Sequence, residues 1–181
     1  MSNIEMFRYE WIWEKNYTTG HMRASYRPLN NHENLVVFYK KQPTYNPQGI
    51  VESNKKIKQK LTTLSNSVYK DNCFKDTEEY IQKYTNYPRT IQKIGLPRNS
   101  GGNKSLHPTQ KPVLLMEYLI KTYTNEDDLV LDNCMGSGST GVACGNLNRR
   151  FIGIELNPEF FKIAENRIKQ SYNNISNIIF E

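Results

Sequence analysis

The sequence predicts an α/β fold, chiefly from two short apolar runs that each end in an acidic residue. The run at 129–131 leads into Asp132 and a glycine-rich turn, as a strand does when a helix follows it. About twenty residues later, the run at 151–154 ends in Glu155. Strand, turn, helix and strand in this order are the layout of a nucleotide-binding βαβ unit.

The turn from Asp132 to Thr140 reads D-N-C-M-G-S-G-S-T and indicates the kind of ligand. Its glycines allow backbone N–H groups to approach a ligand, and Glu155 can accept from both hydroxyls of a ribose. The turn is not G-x-G-x-x-G, and it lacks the lysine with which a P-loop grips phosphates. An adenosine without a pyrophosphate is therefore favoured, which predicts S-adenosylmethionine as the cofactor.

Residues 1–42 predict two strands of a sheet. The segments 9–13 and 34–39 are rich in aromatic and β-branched residues, as strands are. Trp11 and Trp13 stand in the first segment, and one of them is expected to face the core. The polar residues 16–31 between the two segments predict an irregular loop.

Residues 43–100 have little periodicity and predict a less regular insertion. They open with the turn formers P-T-Y-N-P-Q-G and continue through four lysines between positions 55 and 60. For these lysines a solvated surface and a contact with DNA phosphates both stay open. Tyr80, Tyr84 and Tyr87 follow at helical spacing, and packing is favoured over base stacking for them.

Residues 101–181 have the clearest pattern. Apolar residues at helical spacing predict a helix over 112–123, ahead of the strand at 129–131. A second helix is predicted over 141–148, and a third over about 159–171, where Asn157-Pro158 is a typical helix start.

The charge is distributed unevenly along the chain. Residues 1–100 contain 16 Lys and Arg against 9 Asp and Glu, whereas residues 101–181 contain 8 against 9. A basic part of the chain beside the part predicted to bind the cofactor favours a polyanionic partner, and nucleic acid is the first candidate. The three cysteines form no C-x-x-C pair, which favours reduced thiols over a zinc site. No membrane-length apolar run or secretory signal is visible, so we expect a cytoplasmic protein without a membrane partner.

The hexapeptide H-P-T-Q-K-P at 107–112, placed ahead of the glycine-rich turn and of G-I-E at 153–155, resembles a known family. It is the signature of the amino-group DNA methyltransferases in their β, or permuted, arrangement. The resemblance is strongest to the phage-like adenine-specific type. It implies a Rossmann-like S-adenosylmethionine-dependent methyltransferase fold, with later sheet strands in 1–42, a target recognition region in 43–100 and the cofactor-binding βαβ part in 101–181.

The same resemblance implies the function and the site. The function is methyl transfer from S-adenosylmethionine to adenine N6 in double-stranded DNA, as in restriction-modification. The turn at Asn133 to Met135 departs mildly from the family's usual residues and keeps the turn chemistry. The residues that the resemblance places in the cofactor pocket are His107, Thr109, Gln110, Lys111, Asp132, Met135, Gly136, Ser137, Gly138, Ser139, Thr140 and Glu155.

One element of the family's pattern is missing. These enzymes hold the amine of a flipped base with an Asp-Pro-Pro-Tyr type motif. Residues 45–48 lack its second proline and its aromatic residue, and 157–160 start a helix, so no catalytic residue is predicted. The fold is expected to be incomplete at its N-terminus, with a complementing N-terminal methyltransferase polypeptide or a homodimer as partner. The alternative is a non-catalytic module that binds S-adenosylmethionine or DNA.

Overall fold

The computed structural model describes residues 4–58, 79–95, 109–172 and 178–180. Two compact units are formed, Met1–Asn46 with Arg89–Glu181, and Pro47–Pro88. The strands and helices, in chain order, are β1 (Phe7–Thr19), β2 (Asn30–Phe38), β3 (Val51–Lys58), β4 (Glu79–Thr85), β5 (Ile91–Lys93), α1 (Val113–Tyr123), β6 (Leu129–Asp132), α2 (Ser139–Asn146), β7 (Arg150–Gly153), α3 (Pro158–Ser171) and β8 (Ile178–Phe180).

The first sheet of the larger unit has the order β2-β1-β5. β1 pairs antiparallel with β2 and parallel with β5. Trp11 and Trp13 are both buried, because residues two apart in a strand point to the same face. The prediction that only one of the two tryptophans faces the core is therefore wrong. Trp13 Nε1 donates to the carbonyl of Ile94 at 2.6 Å, so its polar edge is satisfied in the interior.

The second sheet of this unit is parallel, with the order β6-β7-β8. α2 and α3 pack on it around one hydrophobic core. That core contains Cys144 of α2, Phe151 of β7 and Ile168 of α3, each at 0% exposure, and Ile120 of α1 joins it.

Helix α1 contacts both the first sheet and helix α2. The Tyr123 hydroxyl accepts a hydrogen bond from Trp11 Nε1 at 2.6 Å, and the Trp11 ring meets the Tyr118 ring edge-on. On the other side, Asn146 of α2 donates to the Glu117 carboxylate at 2.7 Å. α1 thus ties the two sheets of the larger unit into one body.

The smaller unit is an antiparallel pair of β3 and β4. A register shift lies between Glu52 and Lys55, where Asn54 has a φ of 49°. Tyr80 and Tyr84 lie in β4, 46% and 38% exposed, so the helical spacing predicted for these tyrosines is wrong. A separation of four residues is compatible with one face of a strand as well as with one face of a helix.

The remaining elements follow the sequence closely. The three helices and the two strands of residues 109–172 stand where they were predicted, within two residues. The third strand of the parallel sheet, β8, was not predicted. The predicted loop at 16–31 is partly wrong, because β1 continues to Thr19 and β2 starts at Asn30. Tyr17, Thr18 and Thr19 have high strand propensity, which extends the hairpin.

Some predicted features lie outside the described residues, namely His107, Pro108, Cys73 and Lys60. None of the helices in the described ranges has the length and apolarity needed to cross a lipid bilayer.

Candidate functional site

The carboxyl ends of β6 and β7 lie side by side and define the candidate site. The two strands are parallel, with Asp132 opposite Gly153. The glycine-rich turn leaves β6 at this edge, and Glu155 follows β7 at the same edge. Ligands of α/β folds bind outside the carboxyl ends of parallel strands, so the predicted residues share the expected position.

Glu155 is held in place by two backbone groups. Its Oε2 accepts from the N–H of Gly136 at 2.9 Å, and its Oε1 accepts from the N–H of Asn157 at 2.9 Å. A carboxylate offers about four acceptor positions. Two of them therefore stay available on an oriented side chain, which is the number that the two hydroxyls of a ribose require.

Asp132 fixes the other end of the turn. Its Oδ1 accepts from the N–H of Cys134 at 3.1 Å, and its Oδ2 accepts from the Thr140 hydroxyl at 2.6 Å. One carboxylate thus bridges the start of the turn and the first turn of α2. The backbone completes the arrangement, since the N–H of Met135 donates to the carbonyl of Ile154 at 3.0 Å.

The turn needs glycine at two positions. Gly136 has a φ of 54° and Gly138 a φ of 79°, in the left-handed region that favours glycine. A Cβ on Gly138 would also lie 2.9 Å from Ile168 Cδ1 and 3.0 Å from Ala164 Cβ. The turn therefore packs directly onto α3, and its backbone path is fixed by contact as well as by conformation.

Arg167 of α3 stabilises the turn by a hydrogen bond. Its Nη1 donates to the carbonyl of Ser137, a residue that is itself buried. Burial lowers the pKa of the Arg167 guanidinium from its ordinary value. The next serine, Ser139, is buried at the start of α2, and its hydroxyl is the buried side-chain oxygen without a hydrogen-bond partner in the described part of the chain.

Met135 and the cysteines differ in what they can contribute. The Met135 side chain is 5% exposed and packs in the hydrophobic core, so its backbone is the part that a ligand at the turn would contact. Cys134 is an exposed free thiol within the turn. Cys144 is a buried free thiol, and burial raises its pKa to about 12. No nucleophilic role is indicated for either cysteine.

The residues before α1 form the third part of the predicted site. The Lys111 ammonium pairs with the Glu33 carboxylate of β2 at 3.0 Å, and Lys15 of β1 pairs with the same carboxylate at 2.6 Å. Burial alone would raise the pKa of Glu33, but the hydrogen bonds and charges of the two lysines lower it overall. Thr109 is exposed and Gln110 is half-buried. A cofactor contact by this segment stays a prediction.

Asn46, part of the sequence that was considered and rejected as a base-holding motif, has a structural role. Its side-chain amide donates to the carbonyls of Lys121 and Thr124 at 3.2 Å each, at the end of α1. Its backbone N–H donates to the carbonyl of Thr122 at 2.7 Å. The residue closes the C-terminal turn of α1.

Sequence reasoning missed three residues of the site. Arg167 was missed because an arginine on an amphipathic helix is usually solvated. Leu156, which follows Glu155 directly, is 97% exposed and is a candidate only by that adjacency; a lone exposed leucine carries no signal in the sequence. Asn157 was identified only as a helix start. Its side chain does cap α3, accepting from the N–H groups of Glu159 and Phe160, while its own N–H holds Glu155.

Comparison with known proteins gives the family. A family model described as DNA methylase, for N6 and N4 methyl transfer, matches residues 3–166. The chain belongs to this DNA methylase family. Its sequence is 42% identical to the type II methyltransferase M.HpaI of Haemophilus parainfluenzae over 76 residues, which are 42% of this chain and 24% of that protein. The matched stretch thus spans about a quarter of that curated relative.

Solved structures extend the likeness to nearly the whole of this DNA methylase chain. The M1.HpyAVI complex with SAM matches with a TM-score of 0.56 and 31% identity, covering 90% of this chain and 62% of that one. The PvuII DNA methyltransferase, specific for cytosine N4, matches with a TM-score of 0.58 and 19% identity, covering 94% of this chain and 58% of that one. The second likeness concerns the fold alone. The predicted α/β fold of the methyltransferase type is confirmed.

Proposed function

We propose that this chain is the cofactor-binding and DNA-recognition part of an S-adenosylmethionine-dependent DNA methyltransferase that acts on adenine N6. The observation that carries the proposal is the oriented carboxylate of Glu155, which has two acceptor positions left beside the glycine-rich turn. Membership of the DNA methylase family supports the reaction class.

The residues of the turn fit S-adenosylmethionine. Glu155 would accept from the ribose hydroxyls, and the exposed side chain of Leu156 offers apolar surface that an adenine ring would cover. The unpartnered hydroxyl of Ser139 has capacity for one polar group of a ligand. When bound, S-adenosylmethionine supplies a methyl group on a sulfonium that is already activated for transfer.

The remaining predicted residues complete the proposed pocket. Asp132, Gly136, Gly138 and Thr140 would shape the floor under the methionine part, since they set the path of the turn. His107, Thr109, Gln110 and Lys111 would line its other side, a role that rests on the family resemblance. Ser137 would contribute through its backbone, with its carbonyl held by Arg167.

The smaller unit is the proposed contact with double-stranded DNA. The pair β3–β4 presents Lys55, Lys56 and Lys83 together with the exposed side chains of Tyr80 and Ile81. Lysines neutralise phosphates, and a two-stranded ribbon is narrow enough to enter a major groove. The cytoplasm, where DNA and S-adenosylmethionine are both available, is the proposed location.

A second polypeptide would hold the target base. These 181 residues contain no Asp-Pro-Pro-Tyr type motif, so the group that binds the exocyclic amine and the aromatic ring that stacks on the base are proposed to lie in another polypeptide segment. The same observation favours the second candidate function, a non-catalytic module that binds S-adenosylmethionine or DNA.

The decisive experiment measures transfer of labelled methyl groups from S-adenosylmethionine to unmethylated double-stranded DNA. The chain is assayed alone and with a separate polypeptide that carries the Asp-Pro-Pro-Tyr motif, and the modified nucleoside is identified. We expect N6-methyladenine only when both are present. N4-methylcytosine would overturn the choice of base. A chain that binds the cofactor yet never supports transfer would be the non-catalytic module, and one that binds no cofactor would refute the proposal.

A further inference from the structure

The hairpin of β1 and β2 closes in the loop 20–29, which is separate in sequence from the candidate cofactor residues. Every residue from His21 to Asn30 is exposed. Met22 is 96% exposed, and Tyr26, four positions later, is 79% exposed. Single apolar side chains on a surface are ordinary, whereas neighbouring ones that are almost fully in solvent indicate a surface that contacts a ligand.

Backbone hydrogen bonds give this loop a defined shape. The N–H of Arg23 donates to the carbonyl of Gly20 at 2.9 Å, and the N–H of Arg27 donates to the carbonyl of Arg23 at 3.1 Å. At the base of the loop Thr19 pairs with Asn30, and the Thr19 hydroxyl donates to the Asn30 carbonyl at 3.2 Å. Because the loop is held in this shape without a ligand, less conformational entropy is lost when it binds one.

The loop carries positive charge without acidic residues nearby in the chain. Between Glu14 and Glu33 the sequence contains Lys15, Arg23 and Arg27 and no Asp or Glu. Lys15 pairs with Glu33. Neither arginine forms an ion pair within the part of the chain that the structure describes. The two guanidinium groups are therefore available to an anionic ligand.

DNA combines the two properties that this surface recognises. Its phosphates are neutralised by arginine, and its bases have apolar faces. Methionine is among the side chains that insert between base steps, and tyrosine stacks on unstacked bases. A base that is methylated at its amino group has to leave the duplex stack, which opens such a step.

The loop leaves the first sheet at the carboxyl end of β1. Near that end Glu33, the fourth residue of β2, binds the Lys111 ammonium at 3.0 Å. The segment before α1 is therefore tied to the end of the sheet that carries the loop. The proposed function places the same segment beside the cofactor, which is where the target base has to arrive.

We propose that the loop 20–29 is a second DNA contact, in which Arg23 and Arg27 bind phosphates and Met22 and Tyr26 pack against bases at an opened step of the duplex. This inference rests on the proposed function, because DNA is the substrate there. It gives the larger unit a DNA contact of its own, in addition to the β3–β4 ribbon.

The test measures binding of the full chain to two fluorescent DNA duplexes by anisotropy, over a series of salt concentrations. One duplex is fully paired and the other has a single unpaired adenine. Arg23→Gln with Arg27→Gln should lower the slope of log affinity against log salt by about 2, one for each lost phosphate contact. Met22→Gln with Tyr26→Gln should keep the slope and weaken binding to the duplex with the unpaired adenine at least about fivefold more than binding to the paired one.

The control variants are matched in chemistry. Lys40→Gln with Lys41→Gln also removes two exposed positive charges, just after the other end of β2. Leu114→Gln removes a side chain of α1 that is 65% exposed. Neither variant should change the salt slope or the difference between the two duplexes.

An unchanged salt slope in the arginine variant, an equal effect of the Met22 and Tyr26 substitutions on both duplexes, or a wild-type chain that binds neither duplex overturns the inference. The first two results would leave the loop to a protein partner. The melting-temperature shift with S-adenosylmethionine, measured in parallel, separates the two proposals. Normal DNA binding by the loop variants of a chain that takes the cofactor refutes the loop contact alone. The expected loop effects in a chain that takes no cofactor support the loop contact and refute the proposed function.

Discussion

The carboxylate of Glu155 accepts a hydrogen bond from the backbone N–H of Gly136 at 2.9 Å, so the acid that follows β7 holds the turn that follows β6. This contact joins residues from two neighbouring strands at one edge of the sheet. Glu155, the candidate ribose acceptor, and the turn, the candidate site for the methionine part, are therefore joined by a direct hydrogen bond.

Replacing Glu155 with alanine should remove cofactor binding together with the order of the turn. The N–H groups of Gly136 and Asn157 lose their acceptor, which should cost about 1–3 kcal/mol of stability. The rise in melting temperature that S-adenosylmethionine produces should disappear. Glu159→Ala, an exposed acid in the first turn of α3, is the control and should keep the rise. An unchanged rise in Glu155→Ala would refute the ribose role.

Gly138→Ala should destabilise the protein more than Gly20→Ala does. Both glycines have a positive φ, 79° and 91°, but a Cβ on Gly20 meets only Arg27 Nη2 at 3.8 Å. The Gly20 substitution should cost about 1 kcal/mol for the backbone alone, whereas Gly138→Ala adds overlap with α3 and should cost about 3 kcal/mol. Urea unfolding of the two variants measures the difference. Equal costs would mean that the turn moves away from α3 freely.

Arg167→Ala should weaken cofactor binding, although Arg167 lies on α3 and acts on the turn only through the carbonyl of Ser137. Without the guanidinium the buried carbonyl of Ser137 loses its donor, a cost of about 1–3 kcal/mol. Calorimetric titration with S-adenosylmethionine should show a higher Kd, and Arg167→Lys should recover part of the affinity. Lys169→Ala removes a cation from the same helix, where it pairs with Glu165, and should leave the Kd unchanged. A normal Kd in Arg167→Ala would limit the residue to stability alone.

Glu33 should contribute to stability at neutral pH and not in acid. Because Lys15 and Lys111 lower its pKa in the folded protein, its contribution is complete above the unfolded value and is lost as the pH falls through the lower, folded value. The melting temperature of Glu33→Gln should therefore fall below that of the wild type at pH 7, with the gap closing below about pH 4. Glu14→Gln on β1 removes a surface ion pair with Lys93 of β5 and should have little effect on the melting temperature at either pH.

The sequence predicts the positions of the candidate site residues at the strand ends well, because its signals there are local. Asp132, the glycines and Glu155 stand at strand ends that periodicity alone identifies, and the parallel pairing of β6 with β7 then brings them together. The same holds for Asn157, whose preference for the start of a helix is a property of the residue and its neighbour Pro158.

The contacts that the sequence does not predict join distant positions. Arg167 lies 30 residues from Ser137, and nothing in its own neighbourhood distinguishes it from a solvated arginine. The Lys111 ammonium pairs with Glu33, far away in the sequence, and no local pattern indicates this pair. Tyr80 and Tyr84 show the limit of spacing arguments, since a separation of four residues suits a strand as well as a helix.

The hydrogen bond between Trp11 and Tyr123 has a consequence for how the chain is made. Its two residues are 112 positions apart, so at a synthesis rate of about 5–20 residues per second the β1–β2 hairpin waits on the order of 10 s for α1. During that time the face that carries Trp11 and Trp13 has no covering helix. The uncovered hairpin is therefore a stage at which this protein can aggregate and at which a chaperone would protect it.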